Sequence, residues 1–202
     1  QIFFTDRNKN AISVALNRDF PIIFASPKEL DDPLEVAATL APIVGQNKEA
    51  LDILLSDSES YFKPLVDRAS SEQIETIRDL RMRGVYVGSK QYRFYPFETL
   101  AEPLLGFVGV NADYDDPVGL YGVEKIFNSE LAEGNDVHLT IDITLQSRAE
   151  EMLSKLIESF DAQGGTIIIQ DPKTGKILTL ANAPGFNPNS YSEFPIKNFL
   201  DP

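Results

Sequence analysis

The clearest pattern of apolar and polar positions follows Asp142. Apolar residues recur there at steps of three and four, the spacing of one face of an α-helix: Leu145, Ala149, Met152, Leu153, Leu156, Ile157 and Phe160. Asp142 stands before the first turn, where its carboxylate can accept hydrogen bonds from free N–H groups. Gly164 and Gly165 follow the last turn, and we expect them to end the helix because glycine adopts the left-handed conformation readily.

Two apolar runs after this helix predict a β-hairpin. Thr166–Gln170 is rich in β-branched residues, Asp171–Gly175 has the composition of a tight turn, and Lys176–Ala181 is apolar again. With the preceding strand Val137–Ile141, the order is strand, helix and hairpin, which opens an α+β domain. Only about twenty residues follow, too few for a complete sheet at ordinary element lengths. This second domain is therefore expected to be incomplete.

Short strands and short helices alternate before that helix. The turn-prone residues Thr5–Asn10 lie between two strand-like runs and predict a first hairpin. Val85–Phe94 predicts a longer strand, Pro33 and Ser70 mark helix starts, and Asn111–Val118 is expected to be an acidic loop. The predicted fold class is α+β. An elongated module of hairpins and short helices (residues 1–135) precedes the incomplete strand–helix–hairpin domain (residues 136–202).

The charge balance narrows the classes of partner. The net charge of −13 repels phosphate groups, which argues against binding to nucleic acid and to anionic lipid surfaces. The absence of cysteine excludes disulfides, and the single histidine, His138, excludes a multi-histidine metal site. Asp113, Asp115 and Asp116 lack the spacing of a calcium loop. We therefore predict no cofactor and no metal site.

Two short motifs allow an enzymatic interpretation. Ser60-x-x-Lys63 and Lys173–Gly175 match the Ser-x-x-Lys and Lys-Thr-Gly motifs of β-lactamase-type serine acyl-transfer enzymes. That chemistry requires a serine at a helix start with the lysine amine one turn later to take the hydroxyl proton. The sequence contains no Ser-x-Asn motif, and Lys173–Gly175 is predicted at a hairpin tip. We interpret both as chance matches, and an enzyme using Ser60 and Lys63 is the alternative function.

Longer motifs occur in one order along nearly the whole chain. They are Thr5-Asp6-Arg7-Asn8, Tyr92-Arg93-Phe94-Tyr95-Pro96, Leu104–Gly109, Gly119–Glu124, Leu139–Asp142 and Asp171–Gly175. This ordered set resembles the front half of class B penicillin-binding proteins, the membrane-anchored D,D-transpeptidases that crosslink peptidoglycan. Lys9 departs from the pattern, since the family usually has glycine there. The resemblance implies a non-catalytic pedestal, or dimerisation, domain and the start of the transpeptidase domain, with the nucleophile motif expected beyond Pro202.

The resemblance also implies a cellular setting and partners. The parent protein is expected on the extracytoplasmic face of the bacterial cytoplasmic membrane, anchored by a helix that precedes residue 1. The implied partners are a membrane-embedded peptidoglycan glycosyltransferase, peptidoglycan itself and, in some members of the family, a second copy. No catalytic residue is expected within this sequence. A free-standing binding module of the cell envelope is a further alternative.

Three charged residues lie within these motifs at predicted junctions between elements: Arg7, Arg93 and Glu124. Because arginine can hold a carboxylate through two hydrogen bonds, we expect an ion-pair cluster that joins hairpin, strand and helix. The alternative is three separate surface charges of little energetic value. The apolar stretch Phe94–Val110, with Phe97 and Leu100, is expected to be either a partner-binding surface or part of the core.

Overall fold

The computed structural model describes residues 1–111 and 114–193. The β-strands are β1 Ile2–Thr5, β2 Ala11–Ala25, β3 Lys63–Val66, β4 Val85–Phe94, β5 Val108–Asn111, β6 Tyr114–Gly119, β7 Val137–Asp142, β8 Gly165–Gln170 and β9 Ile177–Ala183. The α-helices are α1 Pro33–Val44, α2 Lys48–Leu55, α3 Ser71–Leu80, α4 Glu102–Leu105, α5 Gly122–Ile126, α6 Asn128–Ala132 and α7 Ile143–Phe160. Two short 3-10 helices span Pro27–Glu29 and Pro188–Glu193. This mixture of helices and sheets confirms the predicted α+β class.

The chain forms two compact units, and the first of them is built from two segments that are separated in sequence by the second. The first unit contains Gln1–Asn17 and the chain from Arg93 onward, and the second contains Arg18–Tyr92. The expected boundary after residue 135 therefore falls inside the first unit. It was drawn from motifs rather than from compactness, and as a boundary between family domains it stays a prediction.

In the first unit, β1 lies between β2 and β7. It pairs antiparallel with β2, where Phe4 is opposite Ile12, and parallel with β7, where Ile2 is opposite Val137. The predicted hairpin at Thr5–Asn10 is confirmed. The Asp6 carboxylate accepts hydrogen bonds from the backbone N–H groups of Asn8 and Asn10, both at 2.8 Å. The φ angle at Lys9 is 65°, the left-handed region in which glycine is favoured, which explains the glycine expected there.

One apolar cluster forms the core of the first unit. Its buried members are Ile2, Phe4, Val14, Ala15, Tyr95, Ala101, Leu105, Phe107, Val123, Val137, Ile141 and Phe186. The Phe107 ring packs against the Phe186 and Tyr191 rings, with centroid distances of 5.8 and 4.2 Å. Residues near both ends of the described chain therefore share one core.

The long helix α7 begins where the sequence predicts. The Asp142 carboxylate accepts hydrogen bonds from the backbone N–H groups of Thr144 and Leu145, at 2.9 and 3.0 Å. The predicted glycine stop is wrong, because α7 ends at Phe160, Asp161 caps it with φ 49°, and Gly165 already belongs to β8. Pairing of Gly165 with Ala183 in the β8–β9 sheet holds this glycine in a strand instead.

The predicted hairpin after α7 is present and pairs only with itself among the described residues. β8 and β9 are antiparallel and form a two-stranded sheet that packs against α7. Asp171 closes the turn by accepting hydrogen bonds from the Lys173 N–H at 2.9 Å and the Thr174 hydroxyl at 2.7 Å. The buried core between helix and hairpin is small and consists of Ala149, Leu153 and Ala181.

The stretch expected to be an acidic loop, Asn111–Val118, contributes instead to β5 and β6. These strands pair antiparallel, with Val108 opposite Gly119. Aspartate and proline disfavour strands by propensity, but pairing with β5 gives the β6 backbone its hydrogen-bond partners. Ala112 and Asp113 lie outside the described residues, so the expectation for Asp113 has no structural outcome.

In the second unit, three helices cover one face of a sheet. The later part of β2 pairs antiparallel with β3, where Ile23 is opposite Val66, and β2 also pairs with β4. Helices α1, α2 and α3 bury the apolar cluster of Ile23, Ala25, Val36, Ala37, Leu40, Val44, Leu51, Leu55, Leu65, Ala69, Ile77 and Val85. As predicted, Pro33 begins α1 and Ser70 caps α3 through the Gln73 N–H at 3.2 Å.

Candidate functional site

Glu124 is a buried carboxylate at the centre of the first unit, with 2% of its side chain exposed. Arg93 Nε donates a hydrogen bond to Glu124 Oε1 at 2.7 Å, and Arg93 Nη1 donates to Asn17 Oδ1 at 3.1 Å. The Tyr95 hydroxyl donates to the same Glu124 oxygen at 3.2 Å and accepts from the Val108 N–H at 3.1 Å. This Glu124 network joins β2, β4, β5 and α5.

Burial and charge act on Glu124 in opposite directions. Burial raises the pKa of Glu124 above its usual value, and the positive charge and hydrogen bond of Arg93 offset only part of this rise. Burial, followed by the nearby Glu124 charge, holds the pKa of Tyr95 well above its usual range, so its hydroxyl stays a donor. A buried carboxylate of this kind depends on its partners, because removing one leaves an uncompensated group in an apolar surrounding.

The structure brings together two of the three residues expected to form the ion-pair cluster. Arg93 and Glu124 are paired, whereas Arg7 lies in the exposed turn between β1 and β2. Within the described ranges, Arg7 makes no ion pair with Glu124. Its turn is closed locally by the Asp6 side chain, which directs the tip to solvent. Tyr95, which sequence reasoning missed, lies two residues after Arg93 in the same motif, and that strand spacing is the signal that could have found it.

A second buried carboxylate, Glu102 of α4, was also not predicted from the sequence. Its side chain is 2% exposed, and its Oε1 accepts a hydrogen bond from the Phe186 N–H at 3.1 Å. A Cβ at Gly185 would lie 1.6 Å from that oxygen, so a side chain there would require the Glu102 carboxylate to move. Burial, with a contribution from the Glu150 charge, raises the pKa of Glu102 to about 8. Its sequence context, Ala-Glu-Pro, contains no signal of burial.

Glu150 and Gln146 extend this network from α4 to α7 and β9. Glu150 Oε1 accepts hydrogen bonds from the Ala101 N–H and from Gln146 Nε2, both at 2.7 Å. The fully buried Gln146 also donates to the Leu180 carbonyl and accepts from the Leu180 N–H, both at 2.9 Å. Burial raises the pKa of Glu150 as well. We call these contacts, together with those of Glu102, the α4–α7 network.

The glycines near Glu124 hold two backbone segments in close contact. A Cβ at Gly106 would lie 1.9 Å from the Tyr121 carbonyl oxygen, and one at Gly119 would lie 2.0 Å from the Glu124 carbonyl oxygen. Gly106 also adopts φ 73°, a backbone angle that residues other than glycine rarely adopt. These close approaches pack α4 against α5.

The residues of the Glu124 network lie in a segment that matches a known protein family. The sequence model of the Penicillin-binding Protein dimerisation domain matches residues 4–140, a range that includes Arg93, Tyr95, Glu102 and Glu124. The chain belongs to this family. The match confirms the resemblance to penicillin-binding proteins that the ordered motifs predict.

Curated relatives of the chain are named after peptidoglycan synthesis or sporulation. Stage V sporulation protein D of Bacillus subtilis is 25% identical, covering 91% of this chain and 32% of the relative. Probable peptidoglycan D,D-transpeptidase PbpC of Pseudomonas aeruginosa is 28% identical, covering 94% of this chain and 37% of the relative. Peptidoglycan D,D-transpeptidase FtsI of Escherichia coli is 24% identical, covering 95% and 37%. The chain thus spans about a third of the length of these relatives.

The residues of the alternative enzymatic interpretation lie in surface segments. Ser60 is in a loop, not at a helix start, and its hydroxyl donates to the Phe62 carbonyl at 3.2 Å. The Lys63 amine forms an ion pair with Asp57 at 2.8 Å. Lys173 lies at the exposed tip of the β8–β9 hairpin, where the sequence predicts it. The Ser60 hydroxyl and the Lys63 amine are thus engaged with Phe62 and Asp57.

Phe97 and Leu100 differ in burial. Phe97 is 43% exposed in the turn after β4, whereas Leu100 is partly buried and packs against the core of the first unit.

His138 is exposed on β7 and stacks on the Phe3 ring, with a centroid distance of 4.8 Å. Within residues 1–111 and 114–193, no group of acidic or histidine side chains is arranged to hold a metal ion. In the same ranges, no helix has the length and apolar character needed to cross a membrane.

Proposed function

We propose that this chain is the non-catalytic, dimerisation-domain part of a peptidoglycan D,D-transpeptidase. In this role it positions the catalytic domain and binds partners during cell-wall synthesis. The family match and the names of the relatives support this proposal. The parent protein would act at the extracytoplasmic face of the cytoplasmic membrane, anchored by a helix. Its partners would be a membrane-embedded glycosyltransferase, peptidoglycan and a second copy.

The observation that carries the proposal is the close joining of the family-matched residues to the elements after them. Glu102 lies inside the matched range and Phe186 lies beyond it, yet a buried hydrogen bond connects them. Ala101 and Glu150 are connected in the same way. The two parts also share one apolar core, to which Phe107 and Phe186 both contribute. A shared core and buried hydrogen bonds leave no flexible linker between them.

This joining gives the domain a physical means to influence catalysis. A partner that binds the family-matched part with different affinity in two orientations would shift the orientation of the following domain. The exposed Phe97, beside the partly buried Leu100, is our candidate contact for such a partner. Large exposed aromatic residues are frequent anchors of protein–protein interfaces.

The test uses the full-length parent protein with its partner glycosyltransferase. Phe97→Glu is expected to lower coupled crosslinking at least severalfold and to leave β-lactam acylation of the isolated enzyme unchanged. Ile126→Glu, at a 74% exposed apolar position of α5, is the matched control. Leu100→Glu is expected to lower both activities, because it places a charge against the core. An unchanged crosslinking rate in Phe97→Glu would contradict this partner surface, and equal loss of acylation would assign Phe97 to the fold.

The acyl-transfer alternative has its own test. A fluorescent penicillin incubated with this chain would label Ser60 covalently if Ser60 and Lys63 formed an active site. We expect no label that is lost in Ser60→Ala, because the Lys63 amine is paired with Asp57 rather than directed to the serine hydroxyl. Labelling that depends on Ser60 would contradict the proposed non-catalytic function. A free-standing binding module is distinguished by the parent gene, which would then encode no transpeptidase motifs downstream.

A further inference from the structure

One face of the second-unit sheet presents aromatic rings. The helices α1, α2 and α3 bury the opposite face, which contains Ile23, Ala25 and Val85. Because side chains alternate along strands, the residues between these point to the other face. That face presents the rings of Phe20 and Phe24 from β2, Tyr86 and Tyr92 from β4, and Phe62, which precedes β3. We call this surface the aromatic face.

The rings form two groups along β2. The Phe24 ring lies against the Tyr86 and Phe62 rings, with centroid distances of 5.5 and 4.9 Å, and the Phe20 ring meets the Tyr92 ring at 6.4 Å. Tyr86 and Phe62 are 41% and 46% exposed. Phe20 and Phe24 are four residues apart, or roughly 13 Å at the usual rise of a strand. The aromatic face therefore offers an extended apolar platform rather than a single pocket.

Positive charges surround one end of this platform. The guanidinium groups of Arg68 and Arg18 lie 4.7 and 5.3 Å from the centre of the Phe20 ring. The Lys90 amine lies 5.4 Å from the centre of the Tyr92 ring. Asp67 is also at this end and accepts a hydrogen bond from the Tyr92 hydroxyl at 2.6 Å. This local group of three cations contrasts with the net charge of −13 of the whole chain.

The other end of the platform carries a carboxylate. Glu29 accepts a hydrogen bond from the Tyr86 hydroxyl. The positive charge of Arg83 also acts on Tyr86, so this end carries both signs, whereas three cations and one carboxylate lie at the Phe20 and Tyr92 end. A ligand that matches the aromatic face needs flat apolar surfaces along its length and negative groups that can reach this end.

We propose that the aromatic face binds a glycan strand that carries carboxylate groups. The flat faces of sugar rings expose C–H groups that pack against aromatic rings, while the sugar hydroxyls remain in water. Carboxylates of the ligand are attracted to Arg18, Arg68 and Lys90, and arginine holds a carboxylate with good geometry. One glycan with both features is uncrosslinked peptidoglycan, whose stem peptides end in carboxylates. This choice of glycan rests on the proposed function.

Charge favours the glycan over a second copy of the chain. In a two-fold symmetric dimer whose axis passes through the Phe20 and Tyr92 end, the cations of Arg18, Arg68 and Lys90 would approach their own equivalents. Like charges brought together in this way are destabilising. Nucleic acid also stacks on aromatic rings, but the net charge of −13 opposes its approach. A glycan with spaced carboxylates avoids both difficulties, because few of its charges meet the acidic remainder of the chain.

The experiment measures binding of the 202-residue chain to purified uncrosslinked peptidoglycan strands by calorimetry. Arg68→Glu is expected to weaken binding at least tenfold. Arg78→Glu in α3 makes the same change of charge on a helix that covers the other face, and it is expected to weaken binding less than twofold. Tyr86→Ser is expected to weaken binding at least threefold, whereas Ile53→Ser at a 77% exposed position of α2 has no effect. Neutral chitin oligosaccharides are expected to bind more weakly than the strands.

Three results would overturn the inference. The chain does not bind the strands, or Arg68→Glu and Arg78→Glu weaken binding equally, or the chain self-associates through this face without binding glycan. Sedimentation equilibrium of the wild-type chain and of Arg68→Glu detects the last case. If thermal unfolding shows that Arg68→Glu is not folded, Lys90→Glu on β4 takes its place with the same expected loss. A negative result here combined with the expected Phe97→Glu behaviour would leave the proposed function intact, so the two failures are distinguishable.

Discussion

At the scale of single residues, Glu124 illustrates how an ion pair becomes important through burial. The Arg93–Glu124 pair is 11% and 2% exposed, so water screens it far less than it screens a surface pair. Tyr95 adds a second donor to the same oxygen. Loss of the carboxylate would leave both donors without their shared acceptor in a buried site.

We expect Glu124→Ala to lower the free energy of unfolding by about 3 kcal/mol, the usual cost of breaking a buried pair. Glu133→Ala removes an exposed carboxylate after α6 and is expected to cost less than about 0.5 kcal/mol. Denaturant midpoints compared at equal m-value measure the difference. If the two midpoints are the same, Glu124 contributes no more than a surface charge.

Glu102 makes the stability of the first unit depend on pH. Its pKa is raised from 4.5 to about 8 in the folded protein. Between these values the folded state holds a proton that the unfolded state has released, so the free energy of unfolding falls as pH rises. The loss from this group is on the order of 2 kcal/mol between pH 5 and pH 7. The raised pKa of Glu150 acts in the same direction.

Glu102→Gln removes this titration and keeps an oxygen that can accept the Phe186 hydrogen bond. The variant and the wild type are expected to have similar unfolding free energies near pH 5, and the variant is expected to be the more stable above pH 7. Chemical denaturation at several pH values measures this, with Glu133→Gln as the exposed control. A difference that is constant across pH would show that the pKa of Glu102 is the same in the folded and the unfolded protein.

At the scale of elements, α7 has a wider apolar stripe than the hairpin covers. Ala149 and Leu153 are buried against β9, whereas Met152, Leu156 and Phe160 are 60%, 47% and 77% exposed. The β8–β9 hairpin supplies only two strands, which limits the area that it can bury. The incomplete second domain expected from the sequence stays a prediction.

Two neighbouring positions of α7 test this division. Leu153→Ala is expected to lower the free energy of unfolding by about 2 to 4 kcal/mol, because it opens a cavity between helix and hairpin. Met152→Ala lies one residue earlier on the exposed side and is expected to change stability by less than about 0.5 kcal/mol. Thermal or denaturant unfolding of both variants provides the comparison. Similar losses at the two positions would mean that Met152 is covered in solution.

At the scale of the whole molecule, the first unit combines residues before and after the expected domain boundary at 135. The α4–α7 network connects Ala101 with Glu150 and Glu102 with Phe186 through backbone N–H groups. Units that share a core and buried hydrogen bonds commonly open as one in hydrogen exchange. The two sides of this boundary are therefore expected to behave as one cooperative unit.

Native-state hydrogen exchange tests this expectation. The backbone N–H groups of Leu105 before the boundary and of Leu180 after it are expected to exchange with the same free energy of opening. Gln146→Ala removes the contacts between α7 and Leu180 and is expected to lower protection at Leu180 most strongly. Two clearly different free energies of opening in the wild type would place a cooperative boundary near residue 135 instead.

The sequence by itself determined the helix starts and the hairpin turn, because these depend on interactions between residues that are close along the chain. Asp142 and Ser70 cap their helices, and Asp171–Gly175 forms the hairpin tip, because each interaction spans only a few residues. The ordered motifs likewise identified the family before any contact was known. The glycine stop of α7 was wrong because strand pairing with β9, beyond the local sequence, outweighed the preference of glycine for a helix end.

Tertiary structure alone decided which polar residues are buried and which rings meet. Arg7 and Arg93 occur in equally clear motifs, yet only Arg93 reaches Glu124, because β4 passes beside α5 while the Arg7 turn faces solvent. Glu102 is a buried acid whose hydrogen-bond donor, the Phe186 N–H, lies 84 residues further along the chain. The aromatic face arose from pairing of β2 with β4. Burial depends on chain segments that are distant in sequence, and therefore no local pattern could reveal it.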